Sequence, residues 1–443
     1  MKNEQALQTI RTRFEEFEHK LNGASASPVH AHRRKAVARF LEQGFPTMRD
    51  EEWRYTNINS VLESDFASAP RPTREALEAI DVPGMLSGVE ISARMVFVDG
   101  HYIEELSTTG EDVDGLTLRP LSALLREDGS QFLERLLNID DTEEYPFAAL
   151  NMAFTEEGAF LHVRERSVVE NPVHLLFITT AASPHAAFPR VQIVVDQGAQ
   201  LSVIEQHVGR SDSAYFRNLV SECSVAQDAV LRQYRMQEEG KAALHFSAAY
   251  ARVERGGDYQ NHYFGFGGAL VRNNLHAVLA DEHAECTMNG VYIPMDRQHM
   301  DNHTVIDHSK PNCNSHELYK GILLDASRGV FSGRIIVRED AQKTDARQSN
   351  NNLLLSDDAQ IDTKPQLKIW ADDVKCTHGA TIGRIDEDAL FYLRSRGVPE
   401  QQAKNILSYA FASELLSHVQ PPALREHLDQ AIHSRLERSW MES

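Results

Sequence analysis

The sequence predicts a mainly β protein with a β-solenoid core between two helical ends. Three observations predict it: apolar residues at helical spacing near both termini, a succession of short β-rich runs between about 155 and 385, and a loose recurrence of turns built from acidic and small residues among those runs. The recurrence has no fixed period, so an antiparallel sandwich or jelly roll is the competing architecture. The boundaries read as 1–154 for an N-terminal helical or mixed domain, 155–385 for the solenoid, and 386–443 for a C-terminal helical domain.

Each element follows from local pattern. In Ala6–Leu21 the apolar residues Leu7, Ile10, Phe14, Phe17 and Leu21 fall on one helical face, and Ala36–Leu41 predicts a second helix ending near Gly44 and Pro46. Asp65–Thr73 reads as a loop, and Met95–Asp99 as a strand followed by a turn at Gly100. Strands are predicted at Val191–Val195, Gln200–Glu205, Ala229–Arg235, Leu244–Val253, Leu275–Leu279, Glu285–Ile293, Gly329–Val337 and Gln366–Trp370. The turns Asp196–Ala199, Ala226–Ala229, Asp281–Ala284, Glu339–Ala341, Asp357–Ala359 and Asp372–Val374 feed strands whose first inward position is small or apolar. That is what a coil needs when it buries its inner face only against its neighbours. Asp386 is the expected cap of a helix stopped at Gly397. Ala403, Ile406, Leu407, Ala410, Phe411, Leu415 and Leu416 form a helical stripe, Pro421-Pro422 breaks it, and Leu424–Trp440 reads as the last helix.

Composition excludes several functions. Among 443 residues, 45 Lys and Arg against 65 Asp and Glu leave a net charge of −20, opposite to what a nucleic-acid or anionic-lipid surface requires. No apolar run reaches membrane length, and the start Met1-Lys2-Asn3-Glu4-Gln5 lacks the apolar core of a secretory signal. Four separated cysteines, Cys223, Cys286, Cys313 and Cys376, make no disulfide framework, so a cytoplasmic protein with reduced thiols is expected. There is neither a P-loop nor a nucleophile elbow, and Gly265-Phe266-Gly267-Gly268 reads as a tight turn of the solenoid.

The histidines carry the chemistry. On a helix, His299 and His303 would share a face as two zinc ligands do, but Asn302, Thr304 and Val305 favour extended backbone. In a strand, positions four apart are separated by about 13 Å, too far for one ion. His308, Cys313 and His316 are expected in a loop around Pro311, and the segment reads as a polar ladder. In Val374-Lys375-Cys376-Thr377-His378-Gly379-Ala380, by contrast, a strand would put Cys376 and His378 on one face about 7 Å apart. A thiolate and an imidazole so placed could both touch an ion such as iron, although two donors fall short of the usual four. The alternative is that both face inward and pack. Arg49–Asn57, dense in charge and aromatic groups, reads as a segment that anchors Trp53 in a core.

Several segments together resemble a known family. They are Glu51-Glu52-Trp53-Arg54-Tyr55-Thr56, Asn171-Pro172-Val173-His174-Leu175, the His299–Gly333 block, Lys375-Cys376-Thr377-His378-Gly379-Ala380-Thr381-Ile382-Gly383, and Phe391-Tyr392-Leu393-Arg394-Ser395-Arg396-Gly397. The chain resembles the SufD family, subunits of the SUF iron–sulfur cluster assembly scaffold, and the last two segments look like SufD rather than its paralogue SufB. The resemblance implies a right-handed parallel β-helix between two helical domains. It implies a non-enzymatic subunit in a complex of one SufB, two SufC and one SufD, with ATPase activity in SufC. SufC would dock on the C-terminal helices, with Ile406, Phe411 and Leu415 as contacts, and SufB would pair through the end of the β-helix. A transient cluster shared with SufB would form at that interface, with His378 and, less directly, its neighbour Cys376 as ligands. Whether the isolated chain forms a homodimer and whether the complex binds a reduced flavin are left open by the sequence.

Two other readings remain from the residues. One is a stand-alone β-helix enzyme acting on polysaccharide through paired carboxylates such as Asp296 and Asp301. The other is a cytosolic metal-binding protein using His299, His303 and His308.

Overall fold

The recurrent turns become the stacked corners of the coil. Gly198, Asp228, Gly256, His283, Asn312 and Lys343 all take positive φ, between 56° and 65°. That is a left-handed conformation that Gly and the short polar side chains of Asp, Asn and His enter most readily. Each gives its backbone N–H to the turn of the next coil, at Gln227, Arg255, Glu282, Pro311, Gln342 and Asp373 respectively. The residue after several of these corners is small or short and buried, as at Ala199, Ala229, Ala284, Cys313 and Thr344.

The computed structural model describes residues 2–21, 27–110, 113–127, 129–137, 139, 145–181, 183–210 and 213–441; Met1 of the expected N-terminal reading lies outside them. From each corner the chain runs into one of two sheets of parallel strands, so the architecture is a parallel β-solenoid. One sheet stacks Gln200–Gly209, Val230–Glu238, Asp258–Gly265, Glu285–Tyr292, Asn314–Leu323, Asp345–Leu354 and Lys375–Gly383. The other stacks Arg190–Val195, Tyr215–Val225, Ala243–Val253, Leu270–Leu279, His299–His308, Arg328–Val337 and Gln360–Ile369. Paired positions lie between 26 residues apart, as from Leu244 to Leu270, and 32, as from Arg328 to Gln360. All eight expected strands fall on these elements, with Ala229, Ile293 and Trp370 just past their ends. Tyr215–Val225, Asp258–Gly265, His299–His308, Asn314–Leu323 and Asp345–Leu354 join them. His308 therefore ends a strand and His316 lies within one, rather than in a loop.

One rim of the solenoid is closed. Ala93–Val98 adds to Val173–Thr179 in parallel, and Leu116–Pro120 pairs antiparallel with Gly158–Val163. The N-terminal helices Lys2–Lys20, Pro28–Gln43 and Pro146–Phe154 cover the outer face of the second sheet, where Phe14, Phe40, Trp53 and Phe147 pack with Phe216 and Phe246 of its strands. The C-terminal segments do the same for the first sheet: Leu415, Leu416, Leu424, Leu428 and Ile432 pack on Tyr234, Phe264, Val291 and Ile322. Asp386 caps Glu387–Ser395 by accepting from the amides of Asp388 and Ala389. Among the described residues no further strand lies on the other rim, at Gln360–Ile369 and Lys375–Gly383.

The space between the sheets is partly polar. Glu205, Arg235, Ser247 and Asn273 form a buried hydrogen-bonded chain there. Large and absent side chains alternate across the coils: a Cβ on Gly290 would come within 2.3 Å of the Tyr319 ring. Gly290→Ala is therefore expected to overpack this interior, at a cost of about 1–3 kcal/mol, read as a lowered unfolding free energy in denaturant.

Candidate functional site at the open rim

The strand Lys375–Gly383 pairs with Asp345–Leu354 on one edge only, setting Cys376 beside Ala346 and His378 beside Gln348. Ala346, Gln348, Asn350 and Asn352 alternate inward and are buried, so Cys376, His378, Ala380 and Ile382 occupy the same inward positions one coil further out. With no coil above them, inward no longer means buried. Cys376 is half-buried, packed against Ile335, Val337, Ala346 and Ala371, and His378 is exposed. Desolvation by burial pushes the Cys376 thiol up from its ordinary value. Around the pair the rim exposes Ile369, Trp370 at 62% and Ile382.

This rim has unpaired edge amides and carbonyls, exposed apolar side chains, a thiol and an imidazole. Two donors on one face can touch an ion but fall short of the usual four. The remaining thiols are of another kind. Cys223 and Cys286 are sealed in the interior with their thiols pushed up by burial, and burial raises Cys313 to about 11. What sets Cys376 apart is access from the rim, since its own thiol is raised as well.

Other clusters do not compete with the rim. His207, Glu239 and His245 lie within ligand distance of one another and are fully buried. Arg217 lies against two of them, donating to His207 Nδ1 at 2.9 Å and lying 3.1 Å from Glu239 Oε1, while the other ring nitrogen of His207 meets Glu205 and His245 Nδ1 lies 2.7 Å from Glu239 Oε2. A guanidinium already supplies the positive charge, and a second cation there would face repulsion. Burial also lowers His207 to about 4, which keeps the imidazole neutral beside Arg217.

His299, Asp301 and His303 face outward on their strand, under the segment Glu51–Thr56. His303 spans Glu52 and Asp301 at 3.2 and 2.9 Å, Thr56 bonds Asp301, and Arg272 lies 3.8 Å over the Trp53 ring while donating to Asp301 and to the Glu52 carbonyl. His308 belongs to the opposite face and meets Ser315. The three histidines therefore do not converge, which removes the single-chain metal reading. Asp301 is 1% exposed and ion-paired, while Asp296 sits in a turn paired to Lys241. That removes the paired-carboxylate reading, because a buried salt-bridged acid meets no sugar. The segment at Trp53 thus anchors the N-terminal region to the solenoid itself.

At the C-terminal helices, Ile406 is 43% exposed, beside Phe391 at 72% and Tyr392 at 57%. Phe411 is half-buried under the Lys320 ammonium. Leu415, expected as a docking contact, is instead 2% exposed and packs toward the first sheet. Its place on the helical stripe faces the solenoid, and the spacing alone did not tell the two sides apart. Ile369, Trp370, Phe391 and Tyr392 were not singled out as contacts from sequence, because their exposure depends on which rim and which helix face remain uncovered.

Comparison with known proteins places the chain in a family. A family profile described as SUF system FeS cluster assembly, SufBD core domain, matches residues 177–411, and one described as SufBD protein N-terminal region matches residues 2–175. The chain is 32% identical over 413 residues to the iron–sulfur cluster assembly protein SufD of Escherichia coli, covering 90% of this chain and 91% of that relative. It is 31% identical to an iron–sulfur cluster assembly SufBD family protein of Synechocystis, covering 88% and 87%. It is 25% identical to the SufD of Bacillus subtilis, covering 89% and 92%. Among the described residues no helix is long and apolar enough to cross a membrane. With both profiles and these relatives spanning nearly its whole length, the chain belongs to the SufBD family of the SUF iron–sulfur cluster assembly system.

Proposed function

We propose that the chain is the SufD-type scaffold subunit of a cluster-assembling complex. It pairs with a SufB-type chain through the open rim and lends His378, with Cys376 beside it, to a transient cluster completed by the partner. The observation that carries this reading is the exposure of the inward-facing His378, beside the half-buried Cys376, on an unpaired edge strand. A pairing subunit that continues the solenoid would satisfy the edge and cover Trp370 and Ile382. Shared ligation also suits a scaffold, since separating the two chains removes half of the donors and lets the cluster go.

Two co-purification experiments test the pairing. Ile382→Lys places a charge on the rim and is expected to abolish recovery of the SufB-type partner from co-expressing cells while the fold, read by circular dichroism, is kept. Undiminished recovery would move the interface elsewhere. The ATPase subunit SufC is assigned to the exposed C-terminal face, so Ile406→Asp is expected to weaken its recovery by about tenfold or more. Ile406 is a cleaner position than Phe411, where a new carboxylate would pair with Lys320 and disturb packing.

A further inference from the structure

His378 tops a column of inward residues, one per coil. Below it lie Gln348, Glu317, Met288, Asn261 and Gln233, each in register with the next. The upper part of this column is specific in its hydrogen bonding. Gln348 Nε2 donates to Glu317 Oε2 at 2.7 Å, and both side chains are buried. Gly333 on the facing strand makes room for the Gln348 carboxamide; a Cβ there would stand 2.3 Å from Nε2. Gln348 Oε1 is buried and has no hydrogen-bond partner. A buried carbonyl oxygen without a partner is costly, on the order of 1–3 kcal/mol. Gln348 is in register with His378, their backbones one strand spacing, about 4.8 Å, apart, with both side chains on the inward face.

We propose that Gln348 is a positioning residue for His378: its carboxamide oxygen accepts the N–H of one imidazole nitrogen and leaves the other, bearing the lone pair, free toward the open rim, while Glu317 holds the carboxamide in that orientation. A ligating histidine needs its tautomer and ring orientation fixed by a partner on the non-ligating nitrogen. A neutral amide oxygen fixes them without adding charge beside an anionic thiolate-and-sulfide cluster. Glu317 prevents the amide from turning its NH2 toward the ring, which would select the other tautomer. The inference rests on the proposed role of His378 as a ligand only for its purpose; the tautomer itself can be read on the full chain without a cluster.

The test is nitrogen NMR of the full-length chain labelled at histidine, with the His378 signals assigned by their loss in His378→Ala. In the parent, the two ring-nitrogen shifts are expected to be widely separated, as in a single neutral tautomer. Gln348→Met is expected to bring them together, as in a mixture. Glu317→Met should do the same from two coils away, and stands in should Gln348→Met fail to fold. Glu317→Gln keeps an acceptor for Nε2 and should retain the separation. In the reconstituted complex, Gln348→Met is expected to lower cluster yield by about tenfold. A mixed tautomer in the parent, or an unchanged separation in folded Gln348→Met, would overturn the inference. Cluster yield that survives His378→Ala alongside the expected NMR pattern would reject the ligand role and leave the positioning in place.

Discussion

Asp301→Ala is expected to lower the stability of the chain by about 3–5 kcal/mol, the usual result of removing one partner from a buried ion pair. The loss has a definite origin. Arg272, 2% exposed, is held between Asp301, the Glu52 carbonyl and the face of Trp53, and Asp301 also accepts from Thr56. Without the carboxylate the guanidinium stays buried with too few acceptors, at the junction where the N-terminal region grips the solenoid. Burial by itself would raise the Asp301 carboxyl; the Arg272 and His303 charges outweigh it and hold the group well below the ordinary carboxylate range. The hydrogen bond from His303 leads in holding Glu52 at about 2, against the opposing effect of burial. Carboxyls depressed in the fold contribute fully above their unfolded values, near pH 4, and lose that contribution as the pH falls through their folded values. The melting temperature is therefore expected to drop between about pH 4 and pH 2, and to drop less steeply in Asp301→Ala. Denaturant and thermal unfolding across that range check both. A loss under about 1 kcal/mol would mean that the junction is solvated rather than locked.

His378→Ala is expected to abolish cluster formation on the assembled complex while leaving its composition unchanged. The side chain is exposed on a terminal strand, so its removal opens no cavity. What it removes is a nitrogen donor that no neighbour on this rim replaces: Cys376 lies half-buried, with its thiol raised by burial. Cys376→Ala should accordingly cost less than His378→Ala, combining a small packing loss with the loss of a weaker donor. Iron and sulfide analysis of complexes purified anaerobically, with absorbance of the cluster, reads both. Full cluster yield from His378→Ala would place assembly at another site.

Part of this was legible along the chain, and the limit has a physical source. Ala229–Arg235 and Leu275–Leu279 announce themselves by β-rich apolar runs, and Asp196–Ala199 and Asp281–Ala284 by residues suited to left-handed corners. Asp345–Leu354 does not, because its buried inward positions include Gln348, Asn350 and Asn352, which pair with one another, with Glu317 one coil below and with Thr363 of the facing sheet instead of forming an oily core. A polar interior erases the alternation that marks a half-buried strand. The spacing of Cys376 and His378 put them on one face if the segment was a strand, but could not say whether that face was covered.

The sequence by itself determined the helical ends, the β-rich middle with its corner residues, and the two-residue spacing of the thiol and imidazole, since turn chemistry, periodicity and spacing are local properties, while the parallel stacking of that middle was left open against a sandwich. Only the tertiary structure decided that His299 and His303 serve a junction, that Leu415 faces inward, and that His378 stands uncovered above Gln348. Those outcomes depend on which strand comes last in the stack and which faces the terminal regions cover, and burial is a property of neighbours distant in the chain.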